Sequence, residues 1–221
     1  MFSRLVPVYD RMNRVLSLGL DERWRRAAAR GLEWSAPVID VGAGTGDLSL
    51  AIVGAGSPGP VVLLDLSVDM LREARRKAAA RGLADRVFPV VGDGENLPIK
   101  QGAAAAIVSA FVLRNLEDPA RFFEESSRVL RPRGRAVFLE IARPPDRIRR
   151  SLFSIYFFRL MPAAARLLTR QGSAYAYLAR SVQAFPAPEE VRRSMERAGF
   201  PGATAEKHAG GMVAIYRGIR G

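Results

Sequence analysis

Val38-Ile39-Asp40-Val41-Gly42-Ala43-Gly44-Thr45-Gly46 is the stretch from which the rest of this chain is read. A short apolar run ends in a loop with glycine at every second position, and a helical pattern begins at Asp47. Strand, glycine turn and helix in that order make a nucleotide-type binding corner. The glycines let a ligand approach the backbone closely, and the helix start offers unpaired N–H groups. The spacing is selective. A dinucleotide fingerprint requires G-x-G-x-x-G, and Asp47 occupies its last glycine position. A phosphate-binding P-loop requires Gly-Lys-Ser/Thr, which is absent. An ordinary strand–helix turn is the remaining plain reading of this loop.

Outward from this loop, strands alternate with helices. Asp47 to Val53 reads as a helix closed by the Gly54–Pro60 cluster. Val61 to Leu64 is a second buried strand ending at Asp65. Ser67 stands as an N-cap before the helical stripe Met70, Leu71, Ala74 and Ala78, which Gly82 closes. Val87 to Val91 and Ala104 to Ser109 are the next two strands. Asp118-Pro119 caps a helix, and Pro132 and Gly134 turn into a fifth strand, Ala136 to Ile141. This alternation predicts an α/β fold with a parallel sheet and ligands beyond the strands' carboxyl ends. Asp40, Asp65 and Asp93 stand at such ends beside the glycine loop. A carboxylate at Asp65 can accept from both ribose hydroxyls and one at Asp93 from an adenine amine, while a single acid there could equally be a helix cap. Phe2 to Arg30 reads as a helical arm. Asp146 to Ala179 reads as aromatic-rich helices, either a packing layer or an apolar lid. Pro188 to Ala198 is a helix, and two last strands, Ala203 to Lys207 and Met212 to Arg217, flank Gly210-Gly211. His208, the only histidine, is expected at the surface or a strand edge.

The 221 residues suit one domain with a full core. The chain has no cysteine, which excludes disulfides, thiolate zinc sites and a cysteine nucleophile. No metal is expected. No signal peptide is visible, and no uncharged run approaches the roughly 20 residues of a membrane span. The expected location is therefore cytoplasmic, at most peripheral on the inner membrane face. The net charge is +12. Much of it lies in the arm, from Arg4 to Arg30, and between Arg143 and Arg170. Such charge suits nucleic acid or an anionic membrane surface, unless it is only a solvated arginine-rich face.

D-x-G-x-G-x-G after a strand resembles motif I of the S-adenosylmethionine (SAM) methyltransferases. Further stretches extend the likeness from end to end. They are Tyr9-Asp10-Arg11-Met12-Asn13, Ser17-Leu18-Gly19, Gly44 to Leu48, Leu113-Arg114-Asn115, Arg128 to Pro132, Leu139-Glu140, Tyr177-Leu178 and Gly211 to Gly218. Together they resemble the C-methyltransferases of menaquinone and ubiquinone biosynthesis. The resemblance implies a class I SAM-methyltransferase Rossmann-like fold. That fold has a seven-stranded, mostly parallel sheet with one antiparallel strand and helices on both faces. A helical arm (1–34) and a helical lid insertion after strand five (143–184) complete it. It implies SAM contacts at Asp40, Gly42, Gly44, Thr45, Asp65, Leu66, Asp93, Gly94 and Ala110, the last through backbone where the family has serine. Val112 replaces a family glycine beside the expected acceptor pocket, and Gly172-Ser173-Ala174 replaces a family aspartate.

The implied reaction is attack of a quinol ring carbon on a sulfonium methyl. Arg114 is expected to stabilise the charge developing on the ring oxygen, Asn115 to orient that oxygen, and Tyr9 to close the site and assist proton movement. An ion pair to Glu117 or Asp118 would make Arg114 structural instead. The implied partners are a lipophilic quinol or another small-molecule acceptor and an anionic membrane surface, with a homodimer also considered. Nucleic acid is not expected, because no cysteine serves pyrimidine methylation and Phe111 to Leu116 lacks the Asn/Asp-Pro-Pro-aromatic motif of amine methylation. A SAM-binding regulator without catalysis is the alternative from another class.

Overall fold

The computed structural model describes residues 10, 13–14, 17–30, 37–57, 59–144, 146–157 and 172–221. Seven strands form one sheet: β1 (Val38–Val41), β2 (Val61–Asp65), β3 (Val87–Val91), β4 (Ala104–Ala110), β5 (Leu130–Ile141), β6 (Thr204–His208) and β7 (Val213–Ile219). Their order is β3-β2-β1-β4-β5-β7-β6. Only β7 runs antiparallel to its neighbours. The sequence order reverses on either side of β1, so a crevice opens at the carboxyl end of that strand. The glycine loop leaves β1 there.

The helices are α1 (Asp21–Ala29), α2 (Asp47–Gly54), α3 (Val68–Ala79), α4 (Pro119–Val129), α5 (Arg147–Ile155), α6 (Gly172–Ala184) and α7 (Pro188–Arg197). The sheet separates two apolar layers, as the two-residue period of its strands requires. Ala28, Ile52, Leu71 and Ala74 of α1 to α3 pack with Val38, Val108 and Leu139. Phe122 and Phe123 of α4 and Met195 of α7 pack with Ile39, Ile107 and Phe138 on the other face. Phe122, Phe123 and Phe138 meet with centroids 5.2–5.6 Å apart, near the separation aromatic rings prefer. A third, smaller cluster of Phe153, Phe157 and Val182 joins α5, the turn after it and α6.

Local signals act where expected. The Ser67 hydroxyl accepts from Met70 N, and the Asp118 carboxylate from Ala120 N and Arg121 N, so both helices start at capped residues. His208 ends β6, an edge strand. Two expectations need correcting. The arm is not one continuous helix: Leu18 and Gly19 take positive φ, and α1 begins only at Asp21. The fifth strand starts at Leu130, but its pairing with β4 skips from Leu130 to Arg135. The Pro132–Gly134 turn, with Arg133 at φ +62°, is looped out of that ladder. Tyr9, and residues 158–171 of the expected lid, lie outside the described residues.

Candidate active site

The glycine loop is held from two sides. Gly44 N donates to Asp65 Oδ2 at 2.8 Å, while Asp65 Oδ1 accepts from Ser67 N at 2.8 Å. One carboxylate at the end of β2 therefore fixes both the loop and the start of α3. A carboxylate has about four acceptor sites, so two remain for the ribose hydroxyls assigned to Asp65. Gly42 lies at φ +64°, and a methyl there would lie 2.4 Å from Val112 Cγ2. A methyl at Gly94 would lie 2.8 Å from Val41 Cγ1, so the loop after β3 packs closely on the end of β1. At Gly44 a methyl would meet no atom within 4 Å, which leaves that backbone open to a ligand. Leu66, 72% exposed, offers an apolar face beside Asp65. Asp93 accepts from Glu95 N at 2.9 Å and pairs with Asn96 in a short bridge. Ala110 ends β4 across the crevice. These residues fit SAM, which needs close backbone, hydroxyl acceptors and an apolar face, and no phosphate cradle.

Asp40 is placed differently from the others. It lies within β1 and is 1% exposed, with Oδ2 accepting from Ser49 at 2.7 Å. Burial pushes its carboxyl up to about 7, against the lowering influence of the Ser49 hydrogen bond and the Arg25 charge. It ties β1 to α2 beneath the glycine loop. Thr45 is buried as well, its hydroxyl donating to Asp10 at 2.6 Å.

Beside this corner lies a strongly apolar cavity of about 210 Å³. The arm and α1 supply Asn13, Leu18 and Trp24; Phe111 and Arg114 follow β4; Phe153, Phe157 and Leu178 close the far wall. Val112 is not among its lining residues. The valine that replaces the family glycine fills the space that a side chain at position 42 would need.

Arg114 sits in a single 3-10 turn, Leu113–Asn115. The turn follows Phe111, which is held at φ +63° by a 2.7 Å hydrogen bond from its N–H to Leu139 O. Such a strained residue is maintained only by its surroundings. The Phe111 carbonyl accepts from Arg114 Nη1 at 2.8 Å and from Asn115 Nδ2 at 3.3 Å. Arg114 Nη1 also pairs with Glu140, a fully buried carboxylate near the end of β5. The partner is thus Glu140, not Glu117 or Asp118. Glu140 further accepts from the backbone N of Arg114 at 3.2 Å and of Ile141 at 2.8 Å. Arg114 Nε is buried and has no hydrogen-bond partner among the described residues. Nη1 is therefore anchored, while Arg114 as a residue lines the cavity.

The pattern that defines the "ubiE/COQ5 methyltransferase family" matches residues 1–220. A demethylmenaquinone methyltransferase of Thermus thermophilus is 41% identical over 222 residues, covering all of both chains.

The chain belongs to the ubiE/COQ5 methyltransferase family.

It is a SAM-dependent methyltransferase. The Geobacter sulfurreducens ubiquinone/menaquinone biosynthesis C-methyltransferase UbiE is 37% identical, over all of this chain and 87% of that one. Among solved structures, a SAM-dependent methyltransferase of Thermotoga maritima superimposes with a TM-score of 0.70 at 18% identity. It covers 100% of this chain and 98% of that one, and at this identity it speaks for the fold alone. Within this methyltransferase, the sequence reading named Glu140 and Tyr177 only as parts of matching stretches, without a role, and did not single out Lys77. Tyr177 donates its hydroxyl to Asn115 Oδ1 at 3.2 Å and so ties α6 to the Arg114 turn. Glu140 carried the same signal as Asp65, an acid near the end of a buried strand. Lys77 carried none, standing in a basic helical run.

Proposed function

We propose that this enzyme methylates a ring carbon of a prenylated quinol, of the demethylmenaquinol-to-menaquinol type. The observation that carries the reading is Arg114. It is anchored by buried Glu140, lines an apolar cavity beside the SAM corner, and keeps its buried Nε uncommitted. SAM, when bound, supplies an electrophilic methyl group. Asp65, Leu66, the Gly42–Gly44 backbone and the Asp93–Gly94 turn would hold it; Asp40 would support the loop from beneath. Arg114 offers a fixed cation to the ring oxygen, whose growing negative charge makes the adjacent carbon nucleophilic. Asn115, held by Tyr177 and Phe111, orients that oxygen. The apolar walls keep water from the reacting pair. Tyr9 is proposed for proton movement on sequence grounds only. Labelled SAM incubated with a short-tailed demethylmenaquinol is expected to give the ring-methylated quinol. Methylation of a different acceptor in a lipid extract, with the quinol untouched, would overturn the reading.

A second reading concerns the membrane. Leu18 at the cavity is 74% exposed, and Ile148 of α5 is 76% exposed beside Arg147 and Arg149. No described helix is long and apolar enough to cross a bilayer. An exposed apolar side chain at the cavity and another on α5 between arginines support a peripheral contact with anionic lipid from which the acceptor enters.

A further inference from the structure

Lys77 lies in the last turn of α3, a surface helix, yet only 13% of its side chain is exposed. An ammonium has three N–H donors, and all three are matched. Nζ lies 2.9 Å from Asp10 Oδ2 and 3.2 Å from Thr45 Oγ1, and it pairs with Asp47 Oδ1. The Thr45 hydroxyl closes the circuit by donating to Asp10 Oδ1 at 2.6 Å. The residues come from three separate places: the arm, the glycine loop with the first turn of α2, and α3.

The connection matters because of what each end carries. The arm that holds Asp10 also supplies Asn13, Ser17 and Leu18 to the apolar cavity. Thr45 stands between Gly44 and Gly46, and Gly44 N is the donor fixed by Asp65. One ammonium thus joins a wall of the acceptor cavity to the cofactor loop. Without it, the carboxylates of Asp10 and Asp47 would lose the ammonium that they share. Exposed ion pairs contribute little, but here the ammonium is largely covered and all three of its donors are matched.

We propose that Lys77 is a positioning residue that couples acceptor binding to cofactor binding, by holding Asp10 of the arm on Thr45 of the glycine loop. The proposal rests on the assignment of the glycine loop to SAM and of the cavity to the acceptor. A loop ordered by the cofactor seats the arm, and a seated arm orders the loop. Each ligand then strengthens the other by the same factor.

The test is Lys77→Met, which keeps the aliphatic stem and removes the ammonium. In the native enzyme, S-adenosylhomocysteine is expected to slow tryptic cleavage at Arg14 of the arm and to tighten binding of the quinol. In Lys77→Met both effects should vanish. The acceptor KM should rise roughly tenfold, within the usual range of coupling between sites, with a much smaller change in kcat. Asp10→Asn should do the same, and the double variant should lose no more than either single one. Lys77→Arg, which restores a cation, should recover most of the protection. If Lys77→Met does not fold, Asp10→Asn and Lys77→Arg decide the matter. Protection and acceptor KM equal to the native enzyme's in Asp10→Asn would overturn the proposal. So would full protection by S-adenosylhomocysteine in a folded Lys77→Met. The cleavage assay needs no acceptor, so a wrong quinol assignment would silence turnover in the native enzyme while leaving this readout intact.

Discussion

Replacing Arg114 by lysine separates charge from geometry at the centre of the site. In the native protein Arg114 lines the cavity while Nη1 pairs with Glu140 and with the Phe111 carbonyl, and Nε is buried without a hydrogen-bond partner among the described residues. A lysine has one nitrogen for all of this. Glu140 is fully buried, and an unpaired buried carboxylate is costly, so the ammonium is expected to stay with Glu140. The fold should therefore survive, with the melting temperature lowered by only a few degrees. The ring oxygen, however, loses its donor. Removing one such preorganised donor typically costs about 2.7–4 kcal/mol of transition-state stabilisation, or roughly 100- to 1,000-fold in kcat. Because the interaction belongs mainly to the transition state, SAM affinity should change little. Turnover at saturating SAM with a short-tailed demethylmenaquinol, beside calorimetric SAM binding, measures both. Near-normal turnover would make Arg114 a structural partner of Glu140. Loss of SAM binding together with turnover would place Arg114 in the cofactor half of the site.

Three further outcomes are expected. Asp65→Ala should weaken SAM binding by roughly 1–3 kcal/mol, the scale of a lost hydrogen-bonded charge, because it releases Gly44 N and removes the acceptors left for the ribose; unchanged calorimetric affinity in a folded variant would take Asp65 out of the site. Asp40 is raised from 3.8 to about 7 in the folded chain, so the native state holds this proton more tightly than the unfolded state. Its contribution to stability is then full below about pH 4 and falls as pH rises through 7. Asp40→Asn, which can still accept from Ser49, should flatten the urea-unfolding profile between these limits; a variant with the native pH slope would refute the linkage. Finally, co-sedimentation with anionic vesicles should exceed that with neutral ones and fall with salt, each basic residue at the surface contributing about 1 kcal/mol; equal binding to both would remove the electrostatic part of the membrane reading.

The sequence by itself determined the order of the strands and helices of the sheet, the glycine corner and the place of Asp65 at the end of β2. These are local matters. A cap such as Ser67 or Asp118 acts on backbone three residues away, and a glycine at positive φ is required by its own turn. The register of Asp65 at the end of β2 followed from the length of one apolar run. The tertiary structure decided what depends on strand order. Arg114 and Glu140 are 26 positions apart and meet only because β4 and β5 are neighbours in the sheet. Asp10 and Lys77 are 67 apart and meet only where the arm crosses the glycine loop. Val112 faces Gly42 because β1 and β4 lie side by side at the crevice. Charge and hydropathy along the chain carry no record of such distances, so no local pattern singles out Lys77, which only the tertiary packing places against Asp10, Thr45 and Asp47.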